Sequence, residues 1–485
     1  MTESTLDDMT GADAQMAEQA WRDGDVLAAI AAADRALAAE EDPECRAAGV
    51  AAAAATADGA LTDAAGRWRS ISGSLDGAAA AGAAARAALA AGLTGDVDAA
   101  TRDLAAARDL LPDPAPRGLT VLVDGADAVL EALRGDVDPA ARRFAGLAAA
   151  TVPGDLLAPE PWGDLAASVA AAGGHARAAR AMLSPVAGPA ATRSRLLAAW
   201  LDMRAGKLTA AREGLASIAG TPVLRRNAVL AAAVGGGLAR RAADEDTLLT
   251  TWHRAVPVMA GADVEILLLD AWGELSVAAA RVSPDDRDAL AASMHQAVVT
   301  AGSPWWAVAS EHWWQLHRAA VVEDVDATSA AAAALADLAA ARPILRARAT
   351  GATTWAAVLR GRADAEAVSA AATTLDAAGH PWEAVELCRA TAARTSDPAV
   401  ARVVLDTARR LRPAPGPRRA AATDDLSDRE RDVGALVVDG LTHKEIGARL
   451  YISPKTVEQH VARLRQKLAA SNRAALVAAL RIRLQ

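Results

Sequence analysis

Aromatic residues other than tryptophan are almost missing from this 485-residue chain, which holds one Phe (Phe144), one Tyr (Tyr451) and twelve Trp. A core without Phe and Tyr must be built from Ala, Leu and Val with scattered indoles, which suits thin, closely spaced helices. Alanine is the most frequent residue, a strong helix former and poor in strands, so the composition argues against a β protein. Cysteine is nearly absent too. Cys45 and Cys388 lie far apart without a CxxC partner, which excludes a disulfide frame and a thiolate zinc site and reads as isolated thiols in a reducing cytoplasm. No run of about 18 residues is apolar enough to span a bilayer, and the alanine-rich tract 47–57 is too short. The acidic start, Met1 to Asp8, lacks an apolar h-region, so no secretory leader is expected. The expectation is a soluble cytoplasmic protein with no membrane partner.

Catalytic signatures are missing as well. There is no GxGxxG after a strand, no HExxH and no GxSxG; the nearest approach to a P-loop, Ala205-Gly206-Lys207-Leu208, lacks the leading glycine loop and the metal-binding hydroxyl. Neither an enzyme nor a cofactor or metal site is expected.

What the chain does have is charge, unevenly placed. The formal net charge is −9. From Asp424 to Gln485 there are eleven Lys/Arg and eight Asp/Glu, leaving 40 basic and 52 acidic of the chain's 51 and 60 upstream. Within that tail, residues 441–485 carry nine basic and two acidic side chains and three of the four lysines. A small basic module on a large acidic body is the pattern of a protein that touches a polyanion at one end.

The boundary is visible. Residues 411–423 include Pro413, Pro415, Gly416 and Pro417, which cannot continue a helix and predict a stiff Pro/Arg linker between a body at 1–410 and a module at 424–485. In the body, helices end at a glycine, often followed by Asp. Gly24, Gly59, Gly95, Gly135, Gly174 and Gly206 stand 35, 36, 40, 39 and 32 residues apart, and Gly379 continues the series. That period predicts tetratricopeptide-like helical hairpins, about a dozen at roughly 34 residues each, stacked as a solenoid. Small or apolar residues at helical spacing, as in Val97, Ala100 and Leu104, supply the packing face. Solenoids usually act through their concave face, so a ligand or protein effector bound to the repeats is expected.

One patch stands out. Trp305, Trp306, Trp313, Trp314 and His317 fall within thirteen residues, with Trp306, Ser310, Trp313 and His317 on one helical face. Flat rings beside a few donors suit a ligand pocket; the alternative use is to fill space between alanine-rich helices. His312 and His317, five apart, do not form a metal pair.

After the linker, three helix starts follow with their own caps. Ser427-Asp-Arg-Glu430 is a capping box, and the helix it opens presents Val433, Leu436 and Val437 inward until Gly440 stops it. Thr442-His-Lys-Glu445 is a second box before a short helix burying Ile446 and Leu450. Ser453 then caps a helix at 454–468 with Pro454 at N1, burying Val457, Val461, Leu464 and Leu468. A last helix, begun near Ser471-Asn472, carries Leu476, Val477 and Leu480. Two short helices joined by a tight turn, the second longer and basic, make a helix-turn-helix. The exposed side of helix 454–468 shows Lys455, Glu458, Gln459, Ala462, Arg463 and Gln466, the small and polar stripe with marginal cations that a major-groove reader needs.

The string Leu426-Ser-Asp-Arg-Glu-Arg-Asp-Val433, then Gly440-Leu-Thr-His-Lys-Glu-Ile446, Ile452-Ser-Pro-Lys-Thr-Val-Glu-Gln-His-Val461 and Leu464-Arg-Gln-Lys-Leu468 resembles the DNA-binding domain of LuxR/NarL-type bacterial regulators. The resemblance implies a four-helix, all-α module on double-stranded DNA. It implies Glu458, Gln459, Ala462 and Arg463 at base edges, with Thr442, Lys444, Ser453, Lys455, Thr456, His460 and Lys467 toward the phosphate backbone. It also implies a homodimer on inverted repeats through the last helix, unless Leu476, Val477 and Leu480 are spent inside the monomer. Two departures are Gly434 in place of the family's leucine, expected to weaken the first helix by about 1 kcal/mol, and Ala469-Ala470 at the usual Gly-Val corner. Neither the nucleotide-binding module of large LuxR-type regulators nor a phospho-acceptor receiver is visible. The expected function is sequence-specific transcription regulation with sensing by the repeats; the alternative is a scaffold with a vestigial DNA-binding domain.

Overall fold

The computed structural model describes residues 11–40, 42, 44–150, 157, 160–183, 190–220, 223–362, 364–411, 428–450, 454–468, 470 and 473–483. These residues are helical with no strand among them, and the chain divides into two compact units, 1–412 and 413–485. Residues 412–427, with the linker and the Ser427 cap, lie outside the described residues, as do Tyr451 to Ser453, Ser471 and Asn472.

In the larger unit twenty-two α-helices pair as eleven hairpins among the described residues, from Ala12–Asp23 with Val26–Ala38 to Pro381–Arg394 with Pro398–Leu411. The turn chemistry explains the sequence rhythm. Gly24, Gly59, Gly95, Gly135, Gly174 and Gly206 have φ between 78 and 98°, a left-handed conformation that stops a helix at low cost only in glycine. The aspartate that follows caps the next helix: Asp25 accepts from the Ala28 N–H at 3.1 Å and Asp96 from Ala99 at 2.9 Å. Beyond Gly206 the glycines thin out but the caps persist, with Asp244, Asp324 and Asp364 accepting from Thr247, Ala327 and Ala367 at 3.0, 2.9 and 2.8 Å. Gly379, read above as part of the same series, instead separates two hairpins, between Ala365–Ala377 and Pro381–Arg394.

The hairpins wind tightly enough for successive windings to touch. The Asp263 N–H donates to the Gly59 carbonyl at 2.9 Å, and the Thr62 N–H donates to the Asp263 carboxylate at 2.8 Å. The indole N–H of Trp305 reaches the Gly135 carbonyl at 2.9 Å and that of Trp306 the Ala132 carbonyl at 2.8 Å. Arg177 donates to the Asp376 carbonyl at 3.2 Å. These partners lie 170 to 204 residues apart in sequence.

From Ala190–Arg204 onward, the first helix of each hairpin packs against the first helix of the next. Many of the contacts among these helices are ionic. Arg226 and Arg193 clamp Glu265 at 2.7 Å each, with Glu160 against Arg226 at 2.5 Å. Arg204 pairs with Asp270 at 2.9 Å, with Arg348 on the same carboxylate at 3.7 Å. Arg240 and Arg241 share Glu274 at 2.7 and 3.1 Å, and Arg241 faces Glu383 at 3.8 Å. All of these except Asp270, which is half-buried, are buried. They tie the sixth hairpin to the tenth and the seventh to the eleventh.

Close approach also needs glycine inside helices. A Cβ on Gly273 would stand 2.2 Å from Trp314, which is fully buried. Gly273→Ala is expected to cost about 3 kcal/mol of body stability by overpacking, read as a lower urea midpoint in tryptophan fluorescence. A loss below about 0.5 kcal/mol would show that the ring shifts freely.

Candidate nucleic-acid interface

The smaller unit has its own core. Val433 and Val437 of helix Asp428–Val438, Ile446 of His443–Leu450, Val457 and Leu464 of Pro454–Lys467, and Leu476 and Leu480 of Arg473–Arg483 are all buried together. Val461 and Leu468 pack at its edge, so the stripe spaced 4, 3 and 4 along Pro454–Lys467 faces inward. Gly434 is buried on the first of these helices, and Gly440 ends it at φ 86°.

Thr442 and Glu445 form the second capping box. The Thr442 N–H and hydroxyl both donate to Glu445 Oε2 at 2.7 Å, and the Glu445 N–H donates to Thr442 Oγ1 at 3.4 Å. These donors hold the Glu445 carboxyl below the usual carboxylate range. The Thr442 hydroxyl, expected at a phosphate, is thus already committed to the cap. Thr442→Ala is expected to lower the module's stability by about 1 kcal/mol, read as an earlier far-ultraviolet melt of the 420–485 fragment; an unchanged melt would show the box to be idle.

With its apolar stripe inward, helix Pro454–Lys467 exposes Glu458 and Ala462, four residues apart on one face, and Arg465 nearby. Lys444 is exposed on the preceding helix. His460 is half-buried, and its Nδ1 is enclosed without a hydrogen-bond partner. The side chains of Lys455, Thr456, Gln459, Arg463 and Lys467 lie outside those described, though all five positions are on the helix; Ser453 is outside the described residues altogether. Leu476 and Leu480, offered for a dimer seam, are spent in the module's own core, and Val477 packs at its edge. No group of three metal-ligating side chains occurs among the described residues, and no helix there is long and apolar enough to cross a membrane.

The tryptophan patch lies in the body, on helix Trp305–Val321. Trp306, Trp313 and Trp314 are buried and Trp305 is half-buried. Besides the two bonds across windings, the Trp314 N–H donates to Asp270 Oδ1 at 2.7 Å. His317 stands edge-on to Trp313 at 4.6 Å and to Trp355 at 5.7 Å. The cavity beside Trp306, Ser310 and Asp270 is about 20 Å³, room for one water. Sequence reasoning missed the ionic interior, because Arg204, Arg241, Glu274 and Glu383 carry the same residue types as any solvated face.

A family model described as bacterial regulatory proteins, luxR family, matches residues 424–480. A protein of Mycobacterium bovis described as an HTH-type transcriptional regulator is 38% identical over 86 residues, 18% of this chain and 9% of that protein. The transcriptional regulatory protein NarL of Mycobacterium tuberculosis is 47% identical over 61 residues, 13% of this chain and 28% of its own. The spore germination protein GerE of Bacillus subtilis is 44% identical over 52 residues, 11% of this chain and 70% of its own. This chain thus spans under a tenth of the length of the mycobacterial regulator it matches and most of GerE. A solved circular tandem repeat protein aligns with 99% of this chain and 95% of its own at 14% identity, but its TM-score of 0.15 is too low to bear on the fold. Through residues 424–480, the chain belongs to the luxR family of bacterial regulatory proteins.

Proposed function

We propose that this chain is a DNA-binding transcription regulator of the cytoplasm, acting at the nucleoid, and not an enzyme. Helix Pro454–Lys467 lies in the major groove with Glu458, Gln459, Ala462 and Arg463 toward the bases. Gln pairs bidentately with adenine and Glu accepts from cytosine N4. Lys444, Ser453, Lys455, Thr456, His460 and Lys467 hold the phosphates, joined by the Thr442 turn. The organisation is a helical body at 1–410, a linker at 411–423 and a reader at 424–485. Two copies bind an inverted repeat, and a ligand or protein on the body controls access to the reader. The observation that carries the reading is a helix buried on one stripe and polar on the other, in a luxR-family module whose last 45 residues hold nine basic and two acidic side chains.

A gel shift of the full chain and of the 420–485 fragment on genomic fragments tests it. With about six phosphate contacts per domain, log K falls against log salt with a slope near −5. Lys455→Ala is expected to weaken every sequence alike, and Gln459→Ala to relax preference at one base position by about 1–3 kcal/mol. A folded chain that binds no duplex at low salt, but still captures protein partners, supports a scaffold instead.

A further inference from the structure

We propose that the centre of the helical body is a binding site for a small hydroxylated molecule, enclosed by the inner faces of helices Arg225–Ala242, Leu269–Val282, Trp305–Val321 and Pro381–Arg394. Seven polar atoms there are buried without a hydrogen-bond partner: Trp313 Nε1, His317 Nε2, His380 Nδ1, Arg241 Nε and Nη2, Glu274 Oε2 and Glu383 Oε1. Folded chains leave few such atoms, because each forfeits its hydration for nothing. These belong to one group of side chains. The Trp313 ring lies 4.6 Å from that of His317 and 5.3 Å from that of His380, and Arg241 Nη2 is 3.8 Å from Glu383 Oε1. That last distance is too long for a hydrogen bond and invites a bridging group.

The donor and acceptor pattern selects the guest. Arg348 Nε donates to His380 Nε2 at 3.2 Å, so the neutral ring carries its proton on Nδ1 and presents a donor. Trp313 Nε1 and the two Arg241 nitrogens are also donors, whereas Glu274 and Glu383 as carboxylates only accept. A bound carboxylate or phosphate has nothing to give the two glutamates, an ammonium nothing to accept from Trp313 and His380, and a metal ion would face N–H groups. A hydroxyl does both. Arg240 and Arg241 balance Glu274 and Glu383, which favours a neutral guest. Two sources share this chemistry, solvent water and a small polyol.

Crystals of the full chain, grown without polyol and then soaked in ethylene glycol, distinguish them. Hydroxyl density within hydrogen-bond reach of Trp313 Nε1, His380 Nδ1 and Glu383 Oε1 is expected in both. Two-carbon density after the soak supports the polyol site, whereas single peaks in both crystals, water only, overturn the proposal. The proposal is overturned if no density appears and Arg241 closes directly onto Glu383. E383L, which removes the acceptor at similar volume, is expected to lose the density beside residue 383; unchanged density there overturns the proposal too. Both results are independent of DNA binding.

Discussion

Asp270→Ala is expected to destabilise the helical body by about 4 kcal/mol, a large share of the roughly 5–15 kcal/mol that holds a domain. Asp270 opens helix Leu269–Val282, where its Oδ1 accepts from the Ser310 hydroxyl and the Trp314 indole and its Oδ2 from Arg204. Burial opposes its ionisation, but Arg204 and Arg348, with the two neutral donors, outweigh that cost and hold the carboxyl well below the usual range. Removing the carboxylate strands two buried guanidinium groups, at 6% exposure each, and frees an indole N–H and a hydroxyl. Arg204 stays stacked near Trp200 and Trp314 at 5.5 Å, a contact that replaces little of what is lost. All twelve tryptophans precede residue 383, so indole fluorescence in a urea titration reports the body alone. A loss below about 1 kcal/mol would show that water reaches the arginines and that the interior is not sealed. The double variant Arg204→Met with Asp270→Leu is expected to lose less than the two single changes added together, since deleting both charges leaves neither uncompensated.

Acid is expected to unfold the body early, and histidine sets where this starts. Burial pushes His317 and His380 down to about 3 from the ordinary 6.5, with neighbouring arginines adding to it. The unfolded chain therefore takes up these two protons below pH 6.5 while the native chain refuses them until about pH 3. Stability is full above 6.5 and drains as pH falls, at about 1.4 kcal/mol per pH unit for each histidine, or about 5.6 kcal/mol for the pair over two units. Below about pH 4.5, Glu265, Glu274 and Glu383 continue the loss. Their arginine partners hold them near 2 against the opposing cost of burial, and that stabilisation disappears as they are protonated. Urea midpoints at about pH 7 and about pH 5 check the prediction, with His317→Gln flattening the slope by about half. Equal midpoints at the two pH values would sink it.

The reader module's core and its second cap were legible because their signals are short-ranged. A cap pairs Thr442 with Glu445, three residues on, and the stripe Val457, Val461, Leu464 and Leu468 repeats within a turn of helix. The same holds for the body's hairpins, whose Gly-Asp turns are a left-handed stop and an N-cap side by side. Leu476 and Leu480 were harder: apolar spacing says that a face is buried, not whether this chain or a second copy buries it.

What the sequence alone determined is therefore the helices, their punctuation and the polar stripe along Pro454–Lys467, all set by neighbours within about four residues. Only the tertiary structure decided that Trp306 and Trp314 clamp hairpins, that Arg204 meets Asp270, and that Arg241 comes to face Glu383. Those pairings follow from the pitch of the solenoid, which accumulates small rotations over many hairpins and brings together residues 44 to 174 positions apart. No local window of residue types contains that sum.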